Sequence, residues 1–303
     1  MKRRELFRIS TAMGLGAALP ALAGTKVQQA GAPAPAAPLK PPPEGSIPVA
    51  FLLSDNAVVI DFGGPWEVFA NASVQGRSGE AAFQLYTVGA TAAPVTAYGG
   101  MKIVPNYTIA NAPPPKVIVV PAQTVSDPAV LEWLRQASRT ADLTMSVCTG
   151  AFILAHAGLL DGKSAVTHHG AFKEFAMKFP SVTLKRGARF VEEGNIATAG
   201  GLSSGIDLAL RVVERYFGRA AASNTAYVME YQGQGWLDPN SNSLYARTRA
   251  STEQHPLCPV CEMDVDKSAS LSTTYRKRNY YFCMEAHKKL FDANPASFIA
   301  SLP

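Results

Sequence analysis

The chain has 303 residues, long enough for one large domain and a smaller one. Hydrophobic residues make up 47% of it and charged residues 17%, a globular composition that excludes a multi-span membrane protein. The formal charge is +5, but Lys2, Arg3, Arg4 and Arg8 against Glu5 account for +3 of it; the remaining +2 gives no basis for nucleic-acid binding.

Residues 1–23 read as a processing segment. "MKRRELFRIS" carries the charges, "TAMGLGAALPALA" is short, apolar and rich in small residues, and Ala21-Leu22-Ala23 fits a small-x-small cleavage site. Arg3-Arg4 followed by Leu6 and Phe7 resembles a twin-arginine export signal, which implies a periplasmic mature chain beginning near Gly24. The other reading is an uncleaved anchor, but the apolar stretch is shorter than the ~20 residues that a span needs, so no stable membrane insertion is expected after processing. Residues 24–46 follow as a Pro/Ala-rich linker. Six of the thirteen residues from Gly31 to Pro43 are proline, which suits an extended tether.

From Ile47 the pattern changes. "IPVAFLLS", "AAFQLYTVG", "KVIVVP" and "LTMSV" are short apolar runs of the kind that form buried strands. Between them lie helical stretches: "GPWEVFANAS", with Pro65 expected early in the helix, where its missing N–H is harmless; "DPAVLEWLRQAS", with Asp127 as N-cap; and "TGAFILAHAGLL". "SSGIDLALRVVERYFG" puts Ile206, Leu210, Val213 and Phe217 on one helical face, and Gly218 ends it. Alternating strands and helices predict an α/β fold, a parallel sheet covered on both faces.

Cys148 lies where the run "LTMSV" gives way to a helix, and ligands of such sheets bind at the carboxyl ends of the strands. A tight strand-to-helix turn projects its side chain into that cleft, and the helix N-terminus behind it favours thiolate. Gly150 keeps the turn uncrowded. A buried structural cysteine is the competing reading.

"VIDFGGPWEVF", "YGGMKIVPNYTI", "SVCTGAFILAHAGLLDGKSAVTHH" and "NIATAGGLSSGIDLALRVVERYFG" together resemble the ThiJ/PfpI superfamily, and most of all its isonitrile hydratase branch. The resemblance spans residues 47–232 and implies a flavodoxin-like sheet with a cysteine nucleophile elbow. It places the nucleophile on Cys148, an acidic partner on Asp61, the following threonine on Thr149 and a nearby histidine on His168. His169 stands where aromatic residues are usual. Where relatives carry Pro-Gly-Gly after the fourth strand, this chain has Pro121-Ala122-Gln123, and Gln123 is positioned to intrude on the pocket. The activity implied is addition of water to an isonitrile, giving an N-substituted formamide. No cofactor is implied for this domain, its partner would be a small-molecule substrate, and a homodimer is the usual assembly.

Other readings stay open. They are a cysteine amidase, peptidase or glyoxalase-like hydratase, or a non-enzymatic ligand or redox sensor. Asp61 could be a cap and His168 a hydrogen-bonded strand-end residue. His156 reads as a core residue and His255 as part of a linker.

Residues 233–254 form that polar linker, with Leu244 and Tyr245 as candidate docking residues. Residues 255–303 then carry Cys258-x-x-Cys261 and Cys283-x-x-x-His287, the spacing of a tetrahedral metal site. Pro259-Val260-Cys261-Glu262-Met263, Tyr280 to Cys283, and Phe291 to Pro295 resemble the YHS relatives of treble-clef-like metal modules. A module this small needs a metal or a disulfide in addition to its core. Three thiolates and one imidazole suit Zn²⁺, or Cu⁺. A Cys258–Cys261 or Cys261–Cys283 disulfide is the alternative in an oxidising compartment.

Overall fold

The computed structural model describes residues 36–74, 81–125, 127–247, 249–268 and 271–299. The segment read as an export signal lies outside the described residues. Ala36–Pro303 forms one compact unit.

In chain order, strand β1 (Ile47–Leu52), helix α1 (Val59–Ala70) and β2 (Phe83–Gly89) come first. The two-residue strands β3 (Val95–Thr96), β4 (Lys102–Ile103) and β5 (Tyr107–Thr108) follow. Next come β6 (Val117–Val120), α2 (Pro128–Ser138), β7 (Leu143–Val147) and α3 (Gly150–His156). Then β8 (Ser164–Ala165), α4 (Phe172–Lys178), β9 (Thr183–Leu184), β10 (Phe190–Glu193) and β11 (Ile196–Ala199) lead to α5 (Ser204–Phe217) and α6 (Arg219–Val228). The C-terminal part holds β12 (Leu271–Tyr275), β13 (Arg278–Phe282), α7 (Glu285–Ala293) and α8 (Pro295–Ile299).

The main sheet runs β10-β11-β7-β6-β1-β2-β5 and is parallel except for the β10–β11 pair. Its central strands are apolar on both faces because both faces are covered. Ile47, Val49 and Phe51 of β1, with Val117 and Val119 of β6, join the core that includes Val68 and Phe69 of α1 and Leu208, Leu210, Val212 and Val213 of α5. Ala50, Leu52, Ile118 and Val120 point the other way, into the core with Val130 and Leu134 of α2, Leu154 of α3 and Phe175 of α4. This two-sided core is what the uninterrupted apolar runs encode.

Local details differ from the sequence expectation. Asp127 caps α2, its side chain accepting from Ala129 N–H at 2.8 Å, and Gly218 ends α5 with φ +85°. Pro65, however, lies inside α1, because the helix begins at Val59. The missing N–H leaves the Asp61 carbonyl without its helical donor, a cost tolerated at the start of the helix. The described part of the proline-rich segment is not a free tether. Leu39 N–H donates to Arg215 O at 2.8 Å, and Arg215 Nε donates to Ala37 O at 3.0 Å. His156 is exposed at the end of α3, edge-on to Phe179, and is no core residue. No described helix is long and apolar enough to cross a membrane.

Candidate functional site

Cys148 sits between β7 and α3 with φ +58°, in the left-handed region that a non-glycine residue occupies at a cost of about 1–3 kcal/mol. Three contacts hold it there. Its N–H donates to Gly200 O at 2.8 Å and Ala199 O at 3.2 Å, and its carbonyl accepts from Thr167 Oγ1 at 3.0 Å. Gly150 is obligatory beside it, since a Cβ there would fall 2.2 Å from Val120 O. The turn therefore presses α3 onto the end of β6 and turns the cysteine toward the carboxyl ends of the strands.

The sulfur is nearly enclosed, with Cys148 only 7% exposed. Burial, and then the neighbouring Asp61 carboxylate, push its thiol up to about 12. Hydrogen bonds from the Leu202 and Thr149 backbone N–H groups and from the Thr149 hydroxyl act in the opposite direction. The expected thiolate bias is thus reversed in the free protein. Helix α3 is only seven residues long, and its dipole does not outweigh desolvation of the sulfur.

Asp61 lies in the first turn of α1 and is fully buried. Its Oδ2 accepts from Ala122 N–H at 3.1 Å, while Oδ1 has no partner among the described residues. Burial lifts this carboxyl to about 7 against the pull of the Ala122 bond. Ala122 also accepts from Val58 N–H at 2.9 Å, so the loop after β6 and the start of α1 fix each other. Gln123 does not enter the pocket. Its Nε2 donates to Leu52 O at 2.9 Å and its Oε1 accepts from Ser54 N–H at 2.6 Å, bracing that loop against the end of β1. Cys148, Asp61 and Thr149 are therefore brought together.

His168 follows Thr167, whose hydroxyl holds the Cys148 carbonyl, and its ring packs against Gly201. Its Nδ1 accepts from Gly170 N–H at 3.2 Å, and a Cβ on Gly201 would lie 2.8 Å from its Cδ2. Burial, then the adjacent His169, lower it to about 4, so it is neutral. His169 stacks on Tyr245 at 4.5 Å, whereas Leu244 is 79% exposed. His255 is an exposed loop residue.

The profile of the DJ-1/PfpI family matches residues 48–215. The chain belongs to this family. The isonitrile hydratase of Pseudomonas putida is 30% identical over 191 residues, 61% of this chain and 79% of that protein. The HTH-type transcriptional regulator CdhR of Pseudomonas aeruginosa is 26% identical over 232 residues, covering 73% of this chain and 68% of its own. Among solved structures, a ThiJ/PfpI family protein from Pseudomonas syringae superposes with a TM-score of 0.56 at 27% identity, covering 63% of this chain and 77% of that one. Drosophila melanogaster DJ-1beta superposes with a TM-score of 0.52 at 18% identity, covering 61% and 98%, a likeness of fold alone.

Beyond the DJ-1/PfpI region, Cys258, Cys261, Cys283 and His287 converge, with all their ligand atoms within 4.8 Å of one another. Cys261 and Cys283 sulfurs are 3.5 Å apart, and His287 Nδ1 is 3.2 Å from Cys283 and 3.7 Å from Cys258. All four cysteines are free. Cys258 is held below the ordinary thiol range by the Cys261 thiol beside it and by His287, and Cys261 is correspondingly raised.

This cluster adjoins the DJ-1/PfpI region. A Cβ on Gly170 would lie 3.5 Å from Cys261 Cβ, and Lys173 Nζ donates to Pro259 O at 3.0 Å. Glu262, directly after Cys261, reaches Lys173 at 3.3 Å and Arg186 at 3.6 Å. Sequence reasoning missed Glu262, Lys173 and Arg186, because the pairing joins positions far apart in the chain.

Proposed function

We propose that the protein hydrates isonitriles to N-substituted formamides, with Cys148 as nucleophile and Asp61 as proton carrier. The observation that carries this reading is the Asp61 carboxyl. It is wholly buried, fixed through one oxygen, without a partner at the other among the described residues, and lifted to about 7 beside a thiol. A proton donor and acceptor near neutral pH is what the reaction needs. The similarity to the Pseudomonas putida isonitrile hydratase supports the choice of substrate.

In the first step the Cys148 sulfur bonds to the terminal isonitrile carbon while that carbon receives the proton held by Asp61, giving a thioimidate. The thiol proton passes to the vacated carboxylate. Water then adds to the thioimidate carbon, with Asp61 relaying a proton. The C–S bond breaks, the formamide leaves, and the thiol is restored. Thr149 and the Leu202 N–H hold the sulfur as charge develops on it. Purified protein should turn over a simple alkyl isonitrile, and Cys148→Ala should abolish turnover with the circular dichroism spectrum unchanged. Absence of turnover in the wild type would reject the reading.

We also propose that Cys258, Cys261, Cys283 and His287 hold one Zn²⁺ or Cu⁺ ion, in a YHS-like module. The donor set fits, since a tetrahedral zinc with ~2.3 Å Zn–S bonds has ligand separations of ~3.8 Å or slightly less; three of the pairs here stand 3.2–3.7 Å apart and all lie within 4.8 Å. Bound there, a metal would supply a cross-link between the 258–261 turn, the end of β13 and the start of α7. The twin-arginine reading of residues 1–23 supports export to the periplasm, which intact-mass analysis of the periplasmic fraction tests.

A further inference from the structure

A cavity of about 180 Å³ lies beside the Gly201–Leu202 turn, and neither Cys148 nor Asp61 lines it. Its walls come from two places. His168, Arg189, Gly201 and Ser203 belong to the DJ-1/PfpI region, while Asn242 and Tyr245 belong to the stretch after α6.

The hydrogen-bond pattern fixes what this cavity offers a ligand. His168 accepts from Gly170 N–H through Nδ1, and the ring is neutral, so its single proton sits on Nε2. Asn242 Oδ1 accepts from Arg189 Nη1 at 3.2 Å, which assigns the amide and leaves Nδ2 as the free end. Ser203 Oγ accepts from Arg189 Nη2 at 3.1 Å, leaving its hydroxyl proton to donate. Among the described residues, none of these three donors has an acceptor. The acceptor atom on each of these groups already accepts one hydrogen bond.

Arg189 organises the set. Its Nε and Nη2 each lie 2.6 Å from Asp207 Oδ2, on a fully buried side chain. Arg189 N–H also donates to Pro239 O at 2.6 Å, and Asn242 N–H to Gly187 O at 3.0 Å. The wall is therefore preorganised, and Asp207 balances the guanidinium charge. What remains open on this wall is the set of three donors.

We propose that this cavity is a binding site for a small carboxylate, received by the His168 Nε2–H, the Asn242 Nδ2–H₂ and the Ser203 hydroxyl. A carboxylate is acceptor-only and can use all three donors through charge-assisted bonds that an uncharged primary amide does not make. The volume equals about six waters at ~30 Å³ each, which suits a ligand of a few carbons. The inference does not depend on the reaction proposed at Cys148.

The test is calorimetric or saturation-transfer NMR titration of the full chain with sodium propionate, with propionamide as the uncharged counterpart. Propionate should bind saturably, in the millimolar range expected of a few surface-accessible hydrogen bonds. Propionamide should bind at least tenfold more weakly. Asn242→Leu should weaken propionate at least tenfold, and Cys148→Ser should leave it unchanged. Should Asn242→Leu fail to fold by circular dichroism, Ser203→Ala decides, with a several-fold loss expected. Absence of saturable binding, equal binding of propionamide, no effect of the wall variant, or loss of binding in Cys148→Ser would each overturn the assignment.

Discussion

Replacing Asp61 by Asn should make Cys148 more reactive toward an alkylating agent while removing its turnover. The thiol stands at about 12, through burial first and the Asp61 charge second. At pH 8 that leaves roughly one thiolate in 10⁴. Asparagine keeps the burial and removes the charge. Taking about two pH units as the effect of an adjacent like charge, the thiolate fraction rises ~100-fold. Nucleophilicity falls as the thiol becomes more acidic, with a Brønsted coefficient of ~0.5, so the net gain in alkylation rate is about tenfold. The assay is pseudo-first-order iodoacetamide labelling between pH 7 and 10, read at the Cys148 peptide by mass spectrometry. Isonitrile turnover in the same preparation should drop ~10²–10⁴-fold, as for loss of a general acid–base group. Equal or slower labelling in the variant would show that the Asp61 charge does not bear on the sulfur, and the proposed proton path would fail with it.

Three further outcomes follow from the same geometry. Because Asp61 rises from 3.8 to about 7 on folding, the native state binds its proton more tightly, and this contribution to stability is lost as pH climbs from 4 to 7. Asp61→Asn should therefore gain on the wild type across that window, by a few kcal/mol at pH 8 and little at pH 4, and urea denaturation at both pH values checks it. Gln123→Ala removes two hydrogen bonds and leaves Ser54 N–H and Leu52 O unpaired, so thermal melting should show a loss of about 2 kcal/mol; no loss would mean the loop is held by its backbone alone. Metal analysis of the purified chain should find close to one equivalent, and Cys258→Ser should abolish it; a disulfide among the module's cysteines with under a tenth of an equivalent would refute the metal reading.

The sequence pattern located the strands and most helices because both faces of the sheet are apolar, and runs such as "KVIVVP" have few other destinations. Cys148 was legible from the strand-to-helix transition and from Gly150. Asp61 was visible only through its motif, since nothing local says that a helix-start carboxylate will be buried. The direction of the Cys148 thiol was misread for the same reason. A helix dipole is local and can be inferred, whereas enclosure by Leu202 and Asp61 is assembled from distant segments. Pro65 was placed too early because the helix begins without a side-chain cap: Val58 is pinned by Ala122 O instead. The roles of Asn242, Tyr245 and Glu262 depend on contacts that span tens of residues, which periodicity does not record.

The grip of Arg189 on the chain after α6 reaches beyond this one molecule. The family match stops at residue 215, yet Pro239, which holds the Arg189 backbone N–H, and Asn242, which holds its guanidinium, lie after it. A descendant could keep all seven strands of the main sheet and the Cys148 turn and still rebuild the wall around Arg189 by exchanging its tail. In such a lineage the Cys148 turn would be inherited while the cavity wall was borrowed from whatever sequence came to follow α6.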